Sequence, residues 1–161
     1  MNVLTAALAH RAAQQAQSTV LDDGRETVSA AALWHDVEQV AGVFRARGIR
    51  RLALLADNAP NWVRVDLAAQ VAGVCLVPVP TFFSASQRAH VLEASGAEAI
   101  VVSAGLRDPL SGVAIAGRHE ELFPGLSLVP LAASAGGAIP PDTSKITFTS
   151  GSTGNPKGVC L

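Results

Sequence analysis

Three short apolar runs limit what this chain can fold into: RLALLA (51–56), VCLVPV (74–79) and AEAIVVS (97–103). Each is almost unbroken by polar residues, as a strand buried on both faces should be. Between the first two lies the turn DNAPN, which sets Pro60 near the first helical position of WVRVDLAAQVAG. Between the second and third lies SQRAHVLEASG, a helix that Ser84 or Ser86 can cap and that ends at Gly96. Strand, helix, strand, helix, strand with short connections predicts parallel pairing and right-handed crossovers. The expected class is α/β, a parallel sheet with helices on both faces.

The flanking segments are read by the same rules. Residues 2–17 carry Val3, Leu4, Ala7 and Leu8 at helical spacing. TVLDDGRETVS places Asp23-Gly24 between two β-prone runs, a hairpin signal in which Asp22 and Asp23 serve the turn. Ser29 can cap a helix over 30–47 with Gly48 at its end, which puts Leu33, Val37, Val40 and Phe44 on one face. LRDPLSGVAIAGRHEELFPG has mixed character and no element is predicted there, whereas LSLVPL suits a further strand. AASAGGAIPPDTS reads as a surface connection, and KITFT as a β run. Residues 1–140 are expected to form an N-terminal α/β subdomain, and 141–161 a strand, a loop and the start of the next strand.

Composition excludes several classes. Apolar residues make up 49% of the 161 and charged residues 16%, so a folded core is expected. Twelve Lys and Arg against 13 Asp and Glu leave no basic field for nucleic acid or an anionic membrane. No apolar run reaches the length of a membrane span, and the N-terminal residues lack the basic leader of a signal peptide. Cys75 and Cys160 have no metal-ligand spacing and read as reduced thiols, so a cytoplasmic protein is expected. His10, His35, His90 and His119 are too scattered for a metal site. Asp57-Asn58 follows a strand, where α/β folds bind ligands, but a helix-capping turn is the preferred reading. Trp34 and Trp62 are expected in packing, and Pro78, Pro80 and Phe82-Phe83 make an unusual strand exit.

The chemistry concentrates in TSGSTGNPKG, immediately after KITF. Gly151, Gly154 and Gly158 let a backbone approach a ligand closely, so that successive N–H groups converge on an anion. Ser150, Ser152 and Thr153 add hydroxyls, Lys157 adds a positive charge, and Pro156 stiffens the chain beside it. The stretch is not a Walker A loop, because Lys157 follows Pro156 and precedes Gly158 instead of Ser or Thr. It does not fit GxGxxG either. A flexible linker is the alternative, but a β run before the loop and a fixed Pro-Lys after it favour nucleotide phosphates.

TSGSTGNPKG preceded by KITF closely resembles the phosphate-loop signature of adenylate-forming enzymes, the acyl-CoA synthetases, peptide-synthetase adenylation domains and luciferases. The stretch from NAPNWVRVDL to EASGAEAIVVS is similar to that family's N-terminal region. The resemblance covers nearly the whole chain and is weakest over residues 104–140. It implies that Mg-ATP converts a carboxylic acid to an acyl-adenylate with release of pyrophosphate. A thiol, commonly coenzyme A and otherwise that of a carrier protein, then takes the acyl group. It further implies that Thr149, Ser150, Gly151, Ser152, Thr153, Gly154, Lys157 and Gly158 bind nucleotide phosphates. None of these is an acid, base or nucleophile, so no catalytic residue is assigned.

The family's magnesium ligand, ribose aspartate, adenine and acyl pockets and C-terminal lysine have no counterpart in this sequence, which stops at Leu161. The expectation is therefore the N-terminal portion of an acid-activating ligase, inactive by itself and partnered by the rest of the enzyme. The alternative is a non-catalytic truncated product acting as an interaction module.

Overall fold

The computed structural model of the protein describes residues 2–149 and 155–161. The chain folds into two compact units, one formed by the chain up to Gly48 with Asn58–Val74, the other by Ile49–Asp57 with Cys75–Leu161.

The first unit is a helical layer with a small ribbon. Helix α1 (Val3–Gln14) starts where the Asn2 side chain accepts a hydrogen bond from the Thr5 N–H at 3.0 Å. Strands β1 (Thr19–Asp22) and β2 (Thr27–Ser29) form the expected antiparallel hairpin. Asp22 accepts from the Gly24 N–H at 2.8 Å, and Asp23 from those of Arg25 and Glu26 at 2.9 and 2.8 Å. The N–H groups of Glu26 and Arg25 hold the Asp23 carboxyl below its ordinary value.

Ser29 caps α2 (Ala30–Ala46), and the predicted stripe Leu33, Val37, Val40 and Phe44 is buried. Helix α3 (Pro60–Ala72) has Pro60 in its first turn and ends at left-handed Gly73. Trp34 and Trp62 are only half-buried; Phe44, aliphatic side chains and alanines fill this core.

Arg64 of α3 is 6% exposed yet fully engaged. It donates to Asp36 at 2.8 Å, Glu26 at 2.6 Å and Asn61 at 2.7 Å. Burial opposes its charge, but the hydrogen bonds it donates to Glu26 and Asp36 outweigh that and raise its pKa. The result is a clamp between α3, α2 and the hairpin turn.

The second unit is built on a sheet. Strand β3 (Arg51–Leu55) lies between β4 (Cys75–Pro78) and β5 (Ala99–Ser103), both parallel to it. Helix α4 (Ala85–Ser95) precedes β5. Ser84 is its cap: the hydroxyl accepts from the Gln87 N–H at 3.2 Å while the Gln87 side chain accepts from the Ser84 N–H at 3.0 Å.

The three predicted strands pair in parallel, and beyond β5 the sheet adds antiparallel members. Strands β6 (Glu120–Phe123) and β7 (Leu126–Pro130) form a hairpin, and β7 pairs antiparallel with β5. The sheet, in the order β4-β3-β5-β7-β6, is mixed. The cause is the turn Pro124-Gly125, where Gly125 has φ +74, which reverses the chain with no helical crossover.

Strands β8 (Ile146–Thr149) and β9 (Lys157–Cys160) form a separate antiparallel ribbon. Lys145 bridges to Leu76 of β4 in the parallel sense, and the Leu76 N–H donates to the Ser144 carbonyl at 3.0 Å. The core of this unit gathers Leu55, Val77, Val91, Ile100, Val102, Val129, Ile146 and Phe148.

Two polar devices lock the amino ends of the strands. Glu98 accepts from the Arg50 N–H at 2.6 Å, the Arg51 N–H at 3.2 Å and the Arg50 guanidinium at 2.9 Å. The connection predicted at AASAGG is largely exposed, but it docks onto the end of α4. The Gly137 N–H donates to the Ala94 carbonyl at 3.0 Å, and the Arg51 guanidinium donates to the carbonyls of Ser95 and Gly137 at 3.0 and 3.2 Å.

Candidate functional site

Strand direction locates the site. Strands β3, β4 and β5 run parallel, and β8 joins β4 in the same sense. The carboxyl end of β8, at Thr149, therefore faces the same way as those of the central strands. That is the side on which open α/β sheets bind ligands.

The hairpin register sets Thr149 opposite Lys157 and Phe148 opposite Gly158. Two members of the predicted phosphate site, Thr149 and Lys157, are thus cross-strand neighbours. Both are exposed, and Lys157 has no ion-pair partner among the described residues. Ser150, Gly151, Ser152, Thr153 and Gly154 lie outside the described residues.

Gly158 packs closely against the strand opposite. A Cβ there would lie 3.1 Å from both the Ile146 side chain and the Phe148 ring. A side chain there would have to shift Ile146 or the buried Phe148 ring by a few tenths of an ångström.

The approach to Lys157 is anchored. The Pro156 ring is buried, and its carbonyl accepts a hydrogen bond from His90 Nε2 at 3.1 Å. Sequence reasoning missed this histidine. The two residues are 66 positions apart, and only the fold brings α4 to the start of β9.

At the exits of β3 and β4, Asp57 accepts from the Thr81 hydroxyl at 3.2 Å. It does not cap a helix: the cap of α3 is Ala59, with no side-chain hydrogen bond. Nearby Phe82 is 83% exposed and stands edge-on to buried Phe83, ring centres 5.4 Å apart.

Among the described residues the hairpin sets a cation and a hydroxyl side by side, a pair able to meet an anion. They include no group of three or more His, Cys, Asp or Glu placed to hold a metal ion. No described helix is long and apolar enough to cross a membrane. Cys75 is buried, and burial pushes its thiol up against the opposing pull of Arg51.

The second unit is a mixed-sheet α/β fold with the β8–β9 hairpin beside β4. The family model for AMP-binding enzymes matches residues 8–161, and the chain belongs to that family. It is 29% identical over 177 residues to the L-proline–[L-prolyl-carrier protein] ligase of Pseudomonas fluorescens, covering all of this chain and 35% of that protein. It is 29% identical over 186 residues to a 3-[(3aS,4S,7aS)-7a-methyl-1,5-dioxo-octahydro-1H-inden-4-yl]propanoyl:CoA ligase of Rhodococcus jostii, with 95% and 36% covered. The inhibitor-bound N-terminal domain of FACL13 from Mycobacterium tuberculosis shares the fold, with a TM-score of 0.77 at 20% identity over all of this chain and 44% of that one. The chain thus spans about a third of the length of these two ligases.

Proposed function

We propose that this chain supplies the phosphate-binding side of the active site in an ATP-dependent ligase that activates a carboxylic acid. The acid's carboxylate attacks the α-phosphorus of ATP, pyrophosphate leaves, and the acyl-adenylate passes its acyl group to a thiol. ATP brings the activated anhydride; the chain contributes position and charge. In this reading Thr149, Ser150, Gly151, Ser152, Thr153, Gly154, Lys157 and Gly158 surround the leaving phosphates, and residues 141–161 act as one strand-loop-strand device. Magnesium takes its protein ligand from outside residues 1–161. The acceptor is coenzyme A or a carrier-protein thiol, as both kinds of ligase occur among the relatives.

The observation that carries this reading is the register of the hairpin, Thr149 opposite an exposed Lys157 at the carboxyl side of the sheet. Charge builds on the β,γ-phosphates as the bond to the α-phosphate breaks. A cation held in place at that point stabilises the transition state more than the ground state. The test is acid-dependent ATP–pyrophosphate exchange by the protein as its source cell makes it, across a panel of amino, aliphatic and aromatic acids. Lys157→Ala is expected to lower the exchange rate by about 10²-fold or more. A variant as fast as the parent would overturn the assignment.

A further inference from the structure

We propose that His90 is a positioning residue for Lys157, holding the start of β9 in the geometry the phosphate site needs. This rests on the functional reading above and adds a residue to it from outside the loop.

The argument begins with the peptide plane. The Pro156 carbonyl and the Lys157 N–H belong to one rigid unit, so fixing the carbonyl direction fixes where Lys157 begins. His90 Nε2 reaches that carbonyl at 3.1 Å. A carbonyl only accepts, so the ring must donate through Nε2–H.

The anchor itself is held firmly. Helix α4 is fixed at one end by the Ser84–Gln87 capping box and at the other by left-handed Gly96. Val91 and Leu92, which follow His90, are buried in the core of the sheet unit. The hairpin it steadies is weak by comparison. A two-stranded ribbon is marginal alone, every residue of β9 is exposed, and Gly158 offers no side chain. Among the described residues, the start of β9 is tied down by its ladder with β8, the buried Pro156 ring and the His90 bond. Without His90 the ammonium of Lys157 sweeps a wider volume, and charge stabilisation at the leaving phosphates falls with it.

The experiment compares His90→Ala with His90→Gln, whose amide nitrogen reaches about as far as Nε2 and can donate to the same carbonyl. The first readout is amide hydrogen exchange without nucleotide in the full native protein. His90→Ala should raise exchange in the peptide covering 155–161 about fivefold to tenfold, the loss of one hydrogen bond, while β3 and β5 stay unchanged and His90→Gln restores protection. The second readout is ATP–pyrophosphate exchange, in which His90→Ala should lower kcat with little change in the KM of the acid, again rescued by His90→Gln.

Unchanged exchange at 155–161 in His90→Ala overturns the proposal. So does a uniform rise across β3 and β5, which would make His90 a general packing residue. If Lys157→Ala proves harmless, the parent reading fails by that separate result, and the functional half of this proposal fails with it. The nucleotide-free measurement still decides whether His90 holds the strand.

Discussion

Single side chains here do work that their neighbours in sequence do not announce. Glu98 shows the balance of terms. Burial raises its pKa, but the N–H and guanidinium of Arg50 and the N–H of Arg51 outweigh that and hold the carboxyl below its ordinary value. A depressed carboxylate stabilises the fold above its unfolded pKa, and the gain is lost as pH falls through the folded value. Glu98→Gln should therefore lower Tm at pH 7 and lose this effect below the usual carboxylate range, about pH 4. The site is a third exposed, so the loss is under about 1 kcal/mol, or about 2–4 °C. An equal Tm gap at pH 7 and at pH 3 would show that the carboxylate charge is not what matters. Arg64 is the same lesson in reverse. Glu26 and Asp36, 38 and 28 positions away, define its clamp, so no local pattern could have revealed it.

Elements were legible where one physical rule dominated. Strands β3, β4 and β5 announce themselves by unbroken apolar runs, and α2 by a stripe ending at a glycine. The hairpin β6–β7 was half-hidden, because Glu120 and Glu121 give β6 the look of a loop and only Pro124-Gly125 marks the reversal. The tie between Pro156 and α4 was not legible, since His90 carries no signature at helix level. The two ends of α4 allow a comparison. Ser84→Ala removes one capping hydrogen bond and should cost about 1 kcal/mol. Gly96→Ala meets two obstacles: φ of +63, and a Cβ placed 2.9 Å from the Gly136 Cα, a backbone atom that cannot rotate away. Thermal unfolding should rank Gly96→Ala as the more damaging. The reverse order would mean that the Gly136 segment yields freely and is not docked as described.

At the scale of the whole molecule the question is how much of an adenylating site this stretch of chain can provide. In the proposed reading it brings Lys157 and the Thr149 hydroxyl to the leaving phosphates, and its described residues hold no cluster for a metal. Activation of an acid also needs contacts to base, ribose and acid, which hold the attacking oxygen in line with the bond that breaks. Binding through the phosphates alone must offset the whole loss of translational and rotational freedom from a few polar contacts, and little affinity remains. The 161-residue chain by itself is therefore expected to give no ATP–pyrophosphate exchange with any acid in the panel. The same chain carrying Lys157→Ala sets the background. Exchange above that background would mean that residues 1–161 assemble a complete adenylation site. The search for in-line contacts would then move to the carboxyl ends of β3 and β4, where Asp57 and Thr81 already meet.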